Sequence, residues 1–226
     1  MKFANLSIDR YIHGMNINSD YSQRAVDLPQ DALWQPSPAP GVERRMLDRV
    51  GDEVAVATSV VRYAPGSSFA AHTHDAGEEY LVLDGVFSDE HGDYPAGTYV
   101  RNPPGSSHSP FTRDGATIFV KLRQFDPADD QSSFRPGGAP GLEVLPLHQF
   151  GHENVALVRW APGTRFSRHV HPGGEEIFVL EGTFEDEHGV YPAGSWLRSP
   201  AYSEHSPFSN DGCLIYVKTG HLPLAA

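Results

Sequence analysis

The chain carries two copies of one long sequence segment, and this repeat constrains the fold more than any other feature. Residues 61–121 align with residues 158–218 without a gap, and more than half of the aligned positions are identical. Solenoids and propellers repeat with periods of about 20 to 50 residues, so this unit is longer than a solenoid or propeller repeat. A unit of this length is large enough to bury a core of its own. The repeat therefore predicts two similar domains in tandem.

Both copies have the pattern of an all-β protein. The runs VAVATSVVRY (54–63) and VALVRW (155–160) are rich in β-branched and aromatic residues, and each ends at the turn signal Ala-Pro-Gly. The runs EEYLVLDG and EEIFVLEG end in the same way at a glycine. Many short strands separated by Gly/Pro turns are typical of a sandwich or barrel. We expect an all-β chain of two tandem barrels.

The repeat also predicts the domain boundaries. Residues 1–40 have no counterpart in the second copy, and we expect an extended arm that lies on a barrel or on another subunit. The first domain is predicted over residues 41–125 and the second over residues 141–222. Residues 126–140 are rich in Pro, Gly, Ser and Asp, which indicates a linker between them.

Charge and hydropathy exclude some classes of function. A net charge of −12 argues against a nucleic-acid partner, because phosphate binding needs a clustered Lys/Arg surface. No apolar run approaches the roughly 18 residues of a membrane span, and the N-terminus lacks the apolar core of a signal peptide. We therefore expect a cytoplasmic protein without a membrane partner. The single cysteine, Cys213, has Ala116 as its repeat counterpart, so the copies share no thiol chemistry.

Repeated histidines indicate a metal site in each copy. His72 and His74 are two residues apart, so on a strand their imidazoles point to the same face. Glu78 can add a carboxylate, and His108 on a later strand can add a third imidazole. The second copy has the same residue types at the same separations: His169, His171, Glu175 and His205. Three imidazoles and one carboxylate form a set that binds divalent metals.

The glutamate that completes each site has an alternative. Glu78 and Glu79 are neighbours on a strand, so they point to opposite faces and one of them can point inward. The spacing favours Glu78, and Glu175 in the second copy, while Glu79 and Glu176 remain the alternative pair. Among the other histidines, His91 and His188 lie in turns and are expected in solvent, whereas His148 and His221 belong to no repeated set.

Two further sets of repeated residues allow more than one interpretation. Arg101 and Arg198 either face the pocket and hold an anionic ligand or, as we favour, form a salt bridge at the barrel rim. Three aromatic pairs are interpreted as barrel core rather than as a substrate platform: Tyr99/Trp196, Phe69/Phe166 and Phe119/Tyr216.

The histidine pattern resembles the two motifs of the cupin superfamily. PGSSFAAHTHDAGEEYLVLDG with PAGTYVRNPPGSSH matches a His-x-His-x3-Glu-x6-Gly element followed by Pro-Gly-x2-His. PGTRFSRHVHPGGEEIFVLEG with PAGSWLRSPAYSEH repeats both elements, but PAYSEH lacks the Pro-Gly of the second element. The resemblance covers about residues 41–222 and implies two jelly-roll barrels, a bicupin. PSPAPGVERRMLDR, FSDEHGDYPAGTYVRNPPGSSH and GGEE are, more narrowly, similar to the cupin domain of ChrR-type anti-sigma factors.

The resemblance implies a function in regulation. In the ChrR-type family the cupin binds zinc and takes part in the response to singlet oxygen, while a separate helical zinc domain holds the sigma factor. Residues 1–50 contain no His/Cys zinc motif, so a regulatory protein partner is expected but a sigma factor is not. Zinc is the favoured ion. Iron, manganese or nickel would instead suit a small-cupin dioxygenase that cleaves diketones or hydroxyacetophenones, so whether the chain is an enzyme stays open. The family and the N-terminal arm also suggest a homodimer.

Overall fold

The strands of the protein follow the sequence repeat. A computed structural model describes residues 15–52, 54–135 and 144–224. The arm contains β1 (Ala25–Asp27), a 3-10 helix (Pro29–Asp31) and β2 (Trp34–Pro36). The first copy contains β3 (Val42–Val50), β4 (Val56–Tyr63), β5 (His72–His74), β6 (Glu78–Asp89), β7 (Gly92–Pro95), β8 (Tyr99–Asn102), β9 (Ser106–His108) and β10 (Ala116–Leu122).

The second copy has a corresponding set of strands, preceded by β11 (Ser133–Arg135). Its strands are β12 (Val144–Phe150), β13 (Glu153–Trp160), β14 (Thr164–Arg165), β15 (His169–His171), β16 (Glu175–Asp186), β17 (Gly189–Pro192), β18 (Trp196–Ser199), β19 (Ser203–His205), β20 (Phe208–Ser209) and β21 (Cys213–Thr219). The prediction of an all-β chain with two tandem barrels is confirmed. Within the described ranges, no helix is long and apolar enough to cross a membrane.

Each barrel is built around one large antiparallel sheet. In the first barrel the strand order is β11-β8-β6-β10-β4-β3-β2, and in the second it is β1-β18-β16-β21-β13-β12. Two short strands in each barrel, β5 with β9 and β15 with β19, form a separate pair that carries the histidines. The long strands β6 and β16 continue past the large sheet and pair with β7 and β17.

Residues of the large sheets alternate between two cores. In β6, Tyr80 and Val82 lie in the interior core of the first barrel, while Leu81 between them points the other way. Leu81 belongs to a third cluster that both barrels build together, with Phe119 from the first barrel and Phe178 from the second. Because side chains of a strand alternate in direction, one strand can serve both cores. The large sheets therefore face each other across a shared apolar layer.

Several aromatic residues that we interpreted as barrel core lie in this shared layer instead. Tyr99, Trp196, Phe119 and Tyr216 are fully buried between the barrels. Phe119 stacks on Phe178 with ring centroids 4.8 Å apart. The remaining aromatic pair differs, since Phe69 packs against the interior of the first barrel and Phe166 is half exposed.

Reciprocal ion pairs cross the shared layer. Lys121 of the first barrel donates a hydrogen bond to Glu176 of the second at 2.6 Å, and Lys218 of the second donates to Glu79 of the first at 2.6 Å. All four side chains are fully buried. Burial alone would raise the pKa of Glu79, but the charges of Lys218, Arg101 and Lys121 lower it to about 2. These pairs hold the two barrels in one relative orientation.

The two repeated arginines extend this network. Arg101 donates to Glu79 at 2.6 Å and to Asp129 at 2.7 Å, and Arg198 donates to Asp48 at 2.9 Å. Both arginines are fully buried between the barrels. The expectation of a salt bridge was correct, but its place at the barrel rim was wrong. The arginines face away from the barrel interior because they lie in register with the outward-facing glutamates Glu79 and Glu176.

Each barrel receives an edge strand from the segment that precedes the other barrel. β1 of the arm pairs with β18 of the second barrel, and β11 pairs with β8 of the first. The described part of the predicted arm thus lies on barrels of its own chain. Part of the predicted linker is a strand, and residues 136–140 lie outside the described residues. The predicted domain boundaries stay predictions.

The motif glycines are required by a close backbone approach. Gly85 has a φ of 73°, and a Cβ atom there would lie 2.2 Å from the carbonyl oxygen of Gly115. Gly182 repeats this arrangement, with 2.1 Å to the carbonyl oxygen of Gly212. A side chain at either position would clash with backbone, so only glycine fits.

Replacement of Glu79 by glutamine should destabilise the protein strongly. The carboxylate accepts hydrogen bonds from Tyr99, Arg101 and Lys218, and breaking such a buried cluster costs about 3 to 5 kcal/mol. Because the folded pKa is lowered from 4.5 to about 2, the stabilisation is present above pH 4.5 and is lost as the pH falls toward 2. Urea unfolding at several pH values measures it.

A matched control is Glu181→Gln. Glu181 forms an exposed pair with Arg159, and such a pair contributes less than about 1 kcal/mol. Equal losses of stability in the two variants would contradict the role of the inter-barrel network.

Candidate metal centre

The two short strand pairs bring the repeated histidines together. β5 and β9 are antiparallel, and His72 is directly opposite His108. Directly opposite residues lie on the same face of the pair, and His74 shares this face because it is two residues from His72. β15 and β19 repeat the arrangement, with His169 opposite His205. The predicted imidazole set is thus assembled in both barrels.

In the first barrel, Glu78 completes the cluster. Its Oε1 atom lies 3.5 Å from Nε2 of His74 and 3.5 Å from Nε2 of His108. One candidate ligand atom from each of His72, His74, Glu78 and His108 lies within 4.8 Å of the others. His74, Glu78 and His108 are buried, and His72 is half-buried.

In the second barrel, the three histidines form the compact part of the cluster. Candidate ligand atoms of His169, His171 and His205 lie within 4.8 Å of one another. Nε2 of His171 and Nε2 of His205 are 3.0 Å apart. Glu175 lies just outside this group, with oxygen atoms 3.6 Å from His171 and 3.4 Å from His205.

Several atoms of the clusters are buried without a hydrogen-bond partner. They are Nε2 of His74, Nε2 of His108 and Oε2 of Glu175. A buried polar atom without a partner is costly, and lone pairs that converge on one point are what a metal ion satisfies. The residues of both clusters therefore fit a divalent metal ion.

The electrostatics of the clusters agree with this chemistry. Burial, together with the neighbouring imidazoles, lowers the pKa of His74 and that of His171 to about 4. These two imidazoles are therefore neutral at neutral pH, which is the form that binds metals. Burial raises the pKa of Glu78 and that of Glu175 to about 7. A nearby cation would favour the ionised carboxylate that burial disfavours.

The alternative glutamates do not reach the clusters. Glu79 lies on the opposite face of β6 from Glu78, where it accepts hydrogen bonds from Lys218 and Arg101. Glu176 has the same position in the second barrel and binds Lys121. Glu78 and Glu175 therefore stay our predicted ligands.

Sequence reasoning missed the aspartates that orient the histidines. Nδ1 of His108 lies 3.2 Å from Oδ2 of Asp89, and the corresponding pair, His205 and Asp186, is 3.6 Å apart. Such a partner fixes the ring orientation, so Nε2 faces the cluster. His72 and His169 are oriented instead by the carbonyl oxygens of Ala70 and Ser167. The signal for the aspartates was present, because Asp-Glu-His-Gly occurs in both copies.

The arm makes a contact with the second site. Arg24 of the arm donates to Oδ2 of Asp186 at 2.7 Å and to the hydroxyl of Tyr191 at 2.7 Å. Burial would raise the pKa of Asp186, but His205 and Arg24 lower it well below its usual value. The arm therefore anchors the aspartate that orients His205.

Four of the other histidines divide into two groups. His91 and His188 are exposed, as expected for turn tips. His148 and His221, which had no repeated partner in the sequence, do have partners in the network between the barrels. Nε2 of His148 lies 2.8 Å from Asp129, and Nε2 of His221 lies 3.2 Å from Glu176.

A cavity leads to the cluster of the first barrel. It has a volume of about 540 Å³ and is lined by all four predicted ligands of that barrel. Tyr63 and Phe69 give it an apolar wall. This volume is in the range of about 300 to 1,000 Å³ that small-molecule sites occupy.

We expect His108→Ala to reduce the metal content of the protein to about half of the wild-type value, because one of two sites loses a buried ligand. Metal analysis by plasma mass spectrometry, in parallel with protein quantification, measures this. His91→Ala removes an exposed histidine and should leave the metal content unchanged. Full metal content in His108→Ala would exclude this residue as a ligand.

Comparison with known proteins gives one family and a common fold. The family profile described as ChrR cupin-like domain matches residues 22–126 and, again, residues 128–223. No curated protein matches the chain by sequence.

Among solved structures, a candidate dioxygenase from Nostoc punctiforme has a TM-score of 0.70 and 16% identity, covering 91% of this chain and 85% of the other. Escherichia coli YlbA has a TM-score of 0.68 and 16% identity, and the match covers 91% of this chain and 94% of YlbA. The pirin YhhW from Escherichia coli, in complex with nickel(II), has a TM-score of 0.68 and 13% identity, and the match covers 90% of this chain and 100% of YhhW. Identities this low show the fold alone.

Proposed function

Because this chain belongs to the family of ChrR cupin-like domains, we propose that it is a metal-binding bicupin with a regulatory or sensor role. Each barrel holds one divalent ion, which His72, His74, Glu78 and His108 bind in the first barrel and His169, His171, Glu175 and His205 in the second. Zinc is the favoured ion, since three imidazoles and one carboxylate fill a four-coordinate zinc site. Iron, manganese and nickel accept the same ligand types.

One observation supports a sensor role: in one strand, a predicted metal ligand is followed directly by a residue of the interface between the barrels. Glu78 faces the histidines of the first barrel, and the next residue, Glu79, accepts a hydrogen bond from Lys218 of the second barrel. Glu175 and Glu176 repeat this arrangement toward Lys121. A shift of β6 or β16 at the ligand would also move the residue that holds the other barrel. Packed interfaces of this kind respond by discrete rearrangement rather than by gradual deformation.

The metal supplies a charge that keeps the glutamate ionised and the imidazoles in place. The protein residues do the rest. Asp89 and Asp186 hold the Nδ1 side of one histidine in each cluster. Glu78 and Glu175 connect each cluster to the strand, β6 or β16, that also carries an interface glutamate. A regulatory protein partner and a homodimer belong to the same proposal and derive from the family resemblance.

We expect removal of the metal by a chelator to increase hydrogen exchange in the strands that carry the interface lysines, β10 and β21. The reason is that loss of the ion leaves Glu78 and Glu175 as buried carboxylates, which disturbs β6 and β16. Exchange measured by mass spectrometry on metal-loaded and chelated protein tests this.

The Glu79→Gln variant serves as the matched control for this coupling. With the carboxylate removed, the response of β21 to the metal should decrease, while the response of β10 through Glu176 and Lys121 should persist. A response confined to the strands that carry the histidines would contradict the sensor proposal.

A second candidate function, a metal-dependent dioxygenase, is favoured by the cavity of the first barrel. The cavity reaches all four predicted ligands, so a small molecule can approach the site. An octahedral ion with four protein ligands keeps two positions open. The fold is also shared with a candidate dioxygenase from Nostoc punctiforme.

Oxygen uptake distinguishes the two candidates. For the sensor, we expect iron(II)-loaded protein to consume no more oxygen with acetylacetone or 2-hydroxyacetophenone than buffer containing iron(II). Uptake that depends on either compound and is lost in His108→Ala would favour the enzyme instead.

A further inference from the structure

The cavity of the first barrel is lined by an arginine, Arg44, that has no partner among the described residues. Arg44 lies in β3, two residues from Val42, and therefore shares the inward face of that strand. It is half-buried and lines the same cavity as the four predicted metal ligands. Its Nε atom is buried without a hydrogen-bond partner. The guanidinium group forms no ion pair or hydrogen bond with any residue in the described ranges 15–52, 54–135 and 144–224.

Arg44 differs in this respect from the other buried arginines. Its neighbour Arg45 points to the opposite face and binds Asp27 at 2.7 Å. Arg101 and Arg198 are likewise paired with carboxylates, at 2.6 Å and 2.9 Å. A buried Nε–H group without an acceptor is costly, and Arg cannot lose its charge in proteins. An acceptor from outside the chain would remove this cost.

The described acidic residues that line the cavity do not pair with Arg44. Asp75 also lines the cavity, but it is paired with Arg123. Glu78 lies among the histidines and is a predicted metal ligand. With a divalent ion bound beside Glu78, the cavity has a net positive charge, which favours an anionic ligand.

The second barrel lacks this cation. Arg44 pairs with Val61, and Val144 pairs with Val158, which is the repeat counterpart of Val61. Val144 therefore occupies the position of Arg44 in the second barrel. Trp160 stands where the first barrel has Tyr63. The two barrels therefore differ at these two positions although their predicted metal ligands are of the same residue types.

Most of the remaining wall of the cavity is apolar. Its side chains suit a hydrocarbon or aromatic body rather than a polyhydroxylated one. Residues of this wall include Val61, Tyr63, Phe69, Phe87, Ile118 and Val120.

We propose that the first barrel binds a small organic carboxylate with an apolar body, that the carboxylate pairs with Arg44, and that the second barrel has no such site. A guanidinium group matches a carboxylate with two parallel hydrogen bonds, and the cavity has room for the apolar part. The proposal names the class of ligand that the first site binds. It rests on the proposed function only for the bound metal ion.

Titration calorimetry with two acids and their neutral amides tests the proposal. The probes are benzoate and hexanoate, with benzamide and hexanamide as matched controls. We expect at least one acid to bind the metal-loaded protein at least tenfold more tightly than its amide. Arg44→Gln should weaken the binding of that acid at least tenfold. Arg44→Lys keeps the charge but loses the paired hydrogen-bond geometry, so it should have an intermediate effect on binding.

Arg159→Gln is the matched control variant. Arg159 is exposed in the second barrel and paired with Glu181, so its loss changes the net charge equally but should leave acid binding unchanged. Thermal unfolding establishes that each variant is folded. The proposal is overturned if neither acid binds at millimolar concentration, if the amides bind equally well, or if Arg44→Gln and Arg44→Lys both bind as the wild type does.

Metal content, measured on the same samples, separates this proposal from the previous one. Wild-type protein that retains no metal would refute the metal-binding function. The preference for acid over amide, and its dependence on Arg44, would still decide whether the carboxylate site exists.

Discussion

The alternation of side chains along β6 and β16 is the constraint on which the rest of the structure depends. A strand that is covered on both faces must supply two environments from consecutive residues. Glu78 and Glu79 are the extreme case, because two neighbouring carboxylates are both buried but serve different partners. A shift of one residue in register would exchange every partner along the strand. The bulge between Thr117 and Ile118 and the glycine at 85 adjust the register at one end of the sheet and leave these glutamates in place.

The sequence was sufficient to predict the barrels and the grouping of the repeated histidines. His72 and His74 lie two residues apart on a short strand, and local periodicity determines which face they share. The preference for Glu78 over Glu79 followed from spacing to the same histidines, and the contacts of the two carboxylates agree with it. Local rules were enough because the cluster is assembled within one barrel.

The network between the barrels could not be predicted in the same way. Arg101, Lys121 and Tyr99 look like rim or core residues when one copy is considered alone. Several partners in this network come from the other copy, as Lys121 with Glu176 and Arg198 with Asp48. A duplicated sequence indicates that two barrels exist, but not which faces they bury against each other. The available signal was the charged residues within predicted strands. The structure shows that they are buried on the outer face of each sheet, and such residues are rarely buried without partners.

The exchange of edge strands has a consequence for how the chain is made. β1 lies near the beginning of the chain but pairs with β18 close to its end, with Ala25 opposite Arg198. During synthesis the first barrel can assemble early and take up β2, whereas β1 has no sheet to join until most of the second copy has left the ribosome. Contacts between such distant segments close large loops and slow folding. The duplicated halves are therefore not interchangeable modules, because a single copy separated from its sibling would keep an open sheet edge available for pairing with other chains.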